Sequence, residues 1–382
     1  MTTRLSDRVF LNEEHLELRA TLRRFVAREL APHVDAWERA RTFPREIYRK
    51  VAEPGYLGIG IDEAYGGSGG DVFAVLIMAE EITRSGSPGL GASLGSLMIA
   101  LPPILAAGTE AQKCRWITPV VRGEKIAALA ITEPDAGSDV ASLRTHARRD
   151  GDHYVVNGSK TYITSGTRAD ILTTAVRTGG DGAGGVSVLV IERDTPGVTV
   201  GRNLEKLGWH ASDTAELFFE DVRVPVDHLI GAENAGFAVL MQNFAMERLV
   251  LAATAIEIAR MAHEAAVAYS RSRQAFGRPI GGFQVNRHRL AEMATGIETC
   301  AMFTYGVASR VQAGETLIAE VAMAKNAATD MASQVVDAAL QLHGGFGYMR
   351  DALVERLYRD IRLYPIGGGT REIMNELIAR TI

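Results

Sequence analysis

Apolar residues recur along this chain with two different periods, and the changes of period divide it into three regions. The N-terminal spacing is helical. A run opening at Asn12, a residue suited to capping, predicts an amphipathic helix that stops near Ala31-Pro32. Arg45 to Ala52 predicts a second helix, ended by Pro54-Gly55, and Val72 to Ser85 a third beyond the glycine loop at Tyr65–Gly70. Leu101-Pro-Pro interrupts the pattern before short helices that reach Arg122. Between Ala127 and Ile230 the period falls to two, which predicts strands such as Val186–Glu192 and Ala215–Glu220. His153 to Ile163 predicts a hairpin turning at Asn157-Gly158, a pair that accepts positive φ. Gly179 to Gly185 predicts a flexible surface loop. After Gly231 helical spacing returns, in long runs at 236–272, 284–313 and 316–342. The expected fold is mostly helical with a central β domain: helical over 1–125, β over 126–231, helical over 232–382.

Bulk properties narrow the function. The 382 residues hold 41 Lys and Arg against 46 Asp and Glu, a net charge of −5. That mild acidity argues against a nucleic-acid binder, which would carry a basic face. No apolar run reads as long enough to span a bilayer, and the first residues lack an apolar signal core, so a cytoplasmic, soluble protein is expected. Cys114 and Cys300 are far apart and lack histidines at ligand spacing, so neither a zinc site, another metal site nor a disulfide framework is expected. The chain has no strand-to-helix GxGxxG, no GxxxxGK, no HExxH and no GxSxG.

One residue stands out inside the 236–272 run. Glu247 is set among Phe244, Met246, Leu249, Val250 and Leu251. A carboxylate there has either found a partner or has a raised pKa, because burying a lone charge is costly. Seen locally, a pairing with an arginine on a neighbouring helix is the plainer account. Two glycine clusters, Gln341-Leu-His-Gly-Gly and Gly367-Gly-Gly-Thr, could admit a ligand to the backbone or could simply end helices. The loop Thr132-Glu-Pro-Asp-Ala-Gly-Ser-Asp reads alone as a capped turn.

Taken in order, these loops together with Lys160-Thr-Tyr-Ile-Thr, Arg273-Gln-Ala-Phe-Gly and Gln284 resemble the acyl-CoA dehydrogenases, across essentially the whole chain. The resemblance implies an N-terminal helical bundle, a middle β-barrel or sandwich and a C-terminal four-helix bundle. It implies non-covalent FAD and α,β-desaturation of an acyl-CoA to the trans-2-enoyl-CoA, a step of fatty-acid β-oxidation. A base removes the α-proton, flavin N5 takes the β-hydride, and electrons pass to an electron-transfer flavoprotein. Matched by position, Leu129, Ala130, Ile131, Thr132, Glu133, Pro134, Asp135, Ala136, Gly137 and Ser138, with Tyr162, Ile163 and Thr164, would line the flavin. Arg273, Ala275 and Gln284, and also Gln341, Leu342, His343, Gly344 and Gly345, would reach the FAD of a neighbouring subunit, implying a homotetramer built as a dimer of dimers. Thr370, Arg371 and Glu372 would complete the FAD site. Ser138, Arg248 and Gly369 would face the acyl-CoA, and the Gly368 N–H would hold the thioester carbonyl.

The base is where this chain departs from the commonest pattern. Many relatives carry a glutamate immediately before the Gly-Thr of the last loop, where Gly368 stands here. The isovaleryl-CoA and long-chain types place it on the long helix directly before Arg-Leu, and this chain reads Glu247-Arg248-Leu249. Glu247 is therefore the expected general base. Arg248, about 100° further round the helix, need not pair with it and is expected near the CoA or positioning the base. Ala245 stands where many relatives have an Asp that contacts the adenine. Rival readings are an acyl-CoA oxidase, a flavin monooxygenase or nitroalkane-oxidising enzyme on the same fold, and a non-catalytic acyl-CoA-binding protein. Oxidases are usually longer, and monooxygenases of this kind generally lack a glutamate at either position.

Overall fold

The computed structural model describes residues 4–382. The N-terminal region runs through α1 (Leu5–Phe10), α2 (Glu13–Glu29), α3 (Val34–Ala40), α4 (Glu46–Ala52) and α5 (Val72–Thr83). Four shorter or flanking helices follow: α6 (Pro88–Leu94), α7 (Leu97–Ala100), α8 (Pro102–Ala107) and α9 (Glu110–Val121). Local chemistry explains their ends. Asn12 Oδ1 accepts the His15 N–H at 2.9 Å, capping α2. Pro102 sits in the first turn of α8, where a missing N–H costs nothing, so the Leu101-Pro-Pro break also starts a helix.

The middle region is β1 (Ala127–Ala130), β2 (His146–Asp150), β3 (His153–Thr164), β4 (Ile171–Arg177), β5 (Val186–Glu192), β6 (Val198–Asn203), β7 (Thr214–Pro225) and β8 (Leu229–Ile230). They form one sheet in the order β6-β7-β3-β2-β4-β5-β8, with β1 parallel to β4. β4 and β5 are buried on both faces, so even Thr173, Thr174 and Ser187 lie inside.

The hairpin expected at Asn157-Gly158 is not formed there. β3 runs straight through both residues, and the turn lies between Asp150 and His153, which pair across β2 and β3. Asn157-Gly158 makes a bulge instead, where the register with β7 slips between Val156 and Gly158. Glycine is required because a Cβ at 158, with φ at 145°, would lie 2.6 Å from Thr145 Cα. The Gly179–Gly185 loop is partly ordered by a 3-10 turn at Ala183–Gly185.

The C-terminal region begins with α10 (Gly236–Ser272), 37 residues long. A small ribbon, β9 (Gln274–Ala275) with β10 (Arg278–Pro279), leads into α11 (Gln284–Gln312) and α12 (Ile318–His343). α13 (Leu353–Ile361) and α14 (Arg371–Ala379) complete it. By length and composition α10 is apolar enough to cross a membrane, contrary to the reading of the sequence. Its apolar faces are used within the protein. Phe237, Met241, Phe244, Met246 and Val250 border the core shared by the N-terminal and β regions. From Ala252 onward the helix fills a second core with α11, α12 and α13, while Leu249 and Ala253 join a third with Phe73 and Tyr305. Glu247 lies where the helix passes from the first core to the others.

Candidate active site

The C-terminal loop between α13 and α14 comes to Glu247. A Cβ placed on Gly368 would lie 3.4 Å from Glu247 Oε1, so positions 247 and 368 share one space although 121 residues separate them. Gly368 and Gly369 both hold positive φ, 66° and 97°. Leu251, one turn after Glu247, fills the rest: its Cδ1 would be 2.5 Å from that Cβ. Thr370 caps α14 by accepting the Ile373 N–H at 3.3 Å.

Among the described residues Glu247 has no salt bridge to a neighbouring helix, so the plainer account of this residue does not hold. The residue is half-buried, and its Oε2 is buried without a hydrogen-bond partner. Burial raises its pKa from 4.5 to about 6, against the pull of Arg248 and Lys325. Arg248 turns to the loop: its Nε donates to the Gly368 carbonyl at 3.2 Å, and its guanidinium lies 5.3 Å from the Phe244 ring centroid. Lys325 on α12 donates to the Gly369 carbonyl at 2.5 Å. Among the described residues neither the Gly368 nor the Gly369 N–H has a hydrogen-bond acceptor in the protein.

The loop after β1 is held from inside. Glu133 Oε1 accepts from the fully buried Lys160 Nζ at 2.7 Å and from Thr145 N at 2.9 Å, while Oε2 accepts from Arg144 N at 2.6 Å. Lys160 also donates to the Ile131 carbonyl at 3.0 Å. Glu133 is thus turned into the protein, and its carboxylate organises the loop rather than facing a ligand. Ala130, Ile131 and Ala136 are buried, and Leu129 and Thr132 partly so; Pro134, Asp135, Gly137 and Ser138 are exposed. Asp135 pairs with Arg144 at 3.6 Å. A second bulge, between Lys160 and Ile163, puts Tyr162 at φ 59° with its ring 69% exposed, between buried Thr161 and Ile163. Non-glycine backbone at positive φ is strained and often marks a binding site. The Thr161 N–H donates to the Thr132 carbonyl at 2.8 Å, joining bulge and loop, with Thr164 partly buried at the strand end. An exposed aromatic ring on a bulge bonded to the loop that carries the exposed Ser138 fits a flat ring system with polar edges, as FAD has.

A second group of expected cofactor residues lies far from Glu247, while Arg371 and Glu372 follow the glycine loop. Arg273 is 26 residues beyond Glu247 on one helix, about 39 Å at 1.5 Å per residue. Ala275 is on the β9–β10 ribbon and Gln284 opens α11 at the same end. Tyr269 stacks on His343, which brings Gln341 to Gly345 there too. In that segment Leu342 and His343 are buried, His343 Nδ1 meeting the Ala339 carbonyl at 2.7 Å, while Gln341, Gly344 and Gly345 are exposed. Arg371 is paired with Asp330 at 2.8 Å and Glu372 is exposed. One chain therefore carries two separate groups of expected cofactor residues. From the sequence, Lys160 stands out only within its motif and Leu251 only among the apolar neighbours of Glu247; Lys325 is not singled out, and its only sign is a cation inside an apolar helical pattern.

Comparison with known proteins agrees with this architecture. The acyl-CoA dehydrogenase N-terminal domain matches residues 12–124, the middle domain 128–222 and the C-terminal domain 234–382. The long-chain specific acyl-CoA dehydrogenase of Sus scrofa mitochondria is 41% identical, covering 100% of this chain and 89% of its own length. A probable acyl-CoA dehydrogenase from Mycobacterium abscessus superposes with a TM-score of 0.96 at 50% identity, covering 98% of this chain and 100% of the other. A Mycobacterium smegmatis glutaryl-CoA dehydrogenase in complex with FADH2 superposes with a TM-score of 0.92 at 27% identity, covering 98% and 95%. The fold and the three matching domains define an acyl-CoA-oxidising oxidoreductase, of a class that uses FAD. The chain belongs to the acyl-CoA dehydrogenase family.

Proposed function

We propose that this protein desaturates an acyl-CoA between Cα and Cβ, with Glu247 as the base that takes the α-proton. The observation that carries this reading is the lone carboxylate at the glycine loop: Oε2 is buried and unpartnered, and Oε1 occupies the space that a side chain at 368 would enter. A base whose pKa lies just below neutrality is ionised at working pH yet still holds a proton well enough to remove one. The Gly368 N–H, without a protein acceptor, is the donor for the thioester carbonyl as negative charge develops on it. FAD, when bound, supplies the two-electron acceptor. Tyr162, Ser138 and the loop locked by Glu133 and Lys160 would hold its ring.

The second group of residues, at the far end of α10, supports completion of the cofactor site by another copy of the chain, and so the homotetramer expected above. An electron-transfer flavoprotein as acceptor and a cytoplasmic location belong to the same proposal and rest on the family resemblance and the sequence.

Anaerobic titration of the purified holoprotein with short, medium, long and branched acyl-CoAs tests the reading. Bleaching of the flavin is expected with at least one class and is lost in Glu247→Gln with FAD retained. Bleaching that survives in that variant would rule out this base. Rapid reoxidation of the bleached enzyme by air would favour an oxidase.

A further inference from the structure

Lys325 is a buried lysine with no carboxylate bonded to it among the described residues. It lies in the third turn of α12 with Ala322, Ala324 and Ala328, fully buried. Among the described residues its ammonium makes no salt bridge; its one hydrogen bond is to the Gly369 carbonyl, and Glu247 acts on it without direct contact. Burying an ammonium with no bonded counter-charge is costly, whereas a methionine of similar length carries no such cost. Such a charge is retained for what it holds.

What it holds is a loop with little to stiffen it. Gly367, Gly368 and Gly369 follow one another, and three glycines in a row have the largest backbone freedom a chain can offer. Two cations from two helices restrain them, Arg248 on the Gly368 carbonyl and Lys325 on the Gly369 carbonyl. The next residue of α12 continues the contact: Asn326 Nδ2 donates to the Arg371 carbonyl at 3.3 Å and to Asn375 Oδ1 at 2.9 Å, fastening the start of α14. Successive carbonyls drawn toward the helices leave the Gly368 and Gly369 N–H groups without protein acceptors.

We propose that Lys325 is a positioning residue for the reaction: with Arg248 it clamps the glycine loop so that its N–H groups meet the thioester, and it places a positive charge beside Glu247. This rests on the reading of Glu247 as base. The charged groups acting on Glu247 are Arg248 on its own helix and Lys325 on α12. The loop from 366 to 370, α7 and α8 bring no ionisable side chain. On α5, Glu80 and Glu81 are engaged by Arg4, Arg19 and Arg23, and on α11 Glu298 is engaged by Arg260.

Two variants of the holoenzyme, Lys325→Gln and Lys325→Arg, test the clamp. In Lys325→Gln the acidic limb of kcat/KM moves to higher pH, because a charge favouring the ionised base is gone, and kcat/KM at pH 7 falls on the order of ten- to a hundredfold as the loop loosens. Lys325→Arg keeps the limb at the wild-type pH. A second readout needs no turnover: with a 3-thia-acyl-CoA, whose α-proton can be removed without oxidation, the pH midpoint of the long-wavelength charge-transfer band moves up in Lys325→Gln alone. A folded, flavin-loaded Lys325→Gln with unmoved limb and midpoint overturns the proposal. If that variant does not retain flavin, Lys325→Arg decides, and a displaced limb there overturns it. Wild-type enzyme that no acyl-CoA bleaches would remove the proposed function and this inference together, whereas normal bleaching with an unaltered variant removes only the inference.

Discussion

Glu247 and Glu257 lie ten residues apart on the same helix, both in apolar surroundings, and they have opposite fates. Glu257 is fully buried, yet its pKa is held well below the usual carboxylate value. Burial pushes it up, but Arg4, Arg84 and Arg260 more than offset this. Arg4 approaches to 2.8 Å and Arg84 also bonds Glu257 directly, while reaching Glu264 at 2.7 Å. Glu247 has two cations near it, but both spend their hydrogen bonds on the glycine loop, and its pKa rises to about 6. The difference is one of direct contact. A carboxylate bonded by arginines ties helices together, whereas one that faces cations without bonding them keeps a free oxygen for a proton.

The largest expected separation is in turnover. Glu247→Gln should lose about a hundred- to ten-thousandfold in kcat while keeping fold and FAD, the usual contribution of a general base. Glu257→Gln should leave kcat per bound flavin nearly unchanged. Steady-state assays on both variants would break the comparison if the two losses were alike. Stability should show the reverse. Removing Glu257 leaves Arg4 and Arg84 under-compensated and should cost roughly 3–5 kcal/mol in denaturant unfolding.

Moving the carboxylate is the next smaller effect. Glu247→Gly with Gly368→Glu should recover little activity by itself, because a Cβ at 368 meets Leu251 Cδ1 at 2.5 Å on backbone with φ at 66°. Adding Leu251→Ala should improve kcat by about tenfold over that double variant as the carboxylate settles into place. No gain from the third change would mean that the two positions do not serve one space.

The smallest effects are in pH. Activity should rise with pH through about 6 as Glu247 ionises, seen as the acidic limb of kcat/KM. The stability sign is opposite to that of a paired carboxylate. Because the folded pKa is raised above 4.5, its contribution is fully present below that value and is lost as pH rises through about 6. Glu247→Gln should thus be the more stable protein at neutral pH, by up to about 2 kcal/mol. Thermal melts at pH 4.5 and 7.5 check this. Glu257 should act in the other direction, its contribution present at neutral pH and lost as acid protonates it.

Much of this was legible along the chain. The three regions, the limits of α2 and α12 to within a few residues, and Glu247 as an anomaly all follow from periodicity, caps and one misplaced charge. Asn157-Gly158 forms a bulge and not the expected turn because positive φ serves both, and only the close approach of Thr145 shows which. Glu133 was matched to the cofactor by its place in the loop, but its partner, Lys160, lies 27 residues away and turns it inward.

Local sequence determined where helices and strands form, since capping, proline and alternation act over a few residues. Tertiary structure alone decided which glutamate on α10 would be neutralised, because Arg4 and Arg84 reach Glu257 across separations of 253 and 173 residues. It also decided that Lys325, a cation the sequence merely makes conspicuous, meets a glycine carbonyl 44 residues on. Direct bonding between a carboxylate and an arginine needs approach to about 3 Å, and chain order does not record which charges folding brings that near.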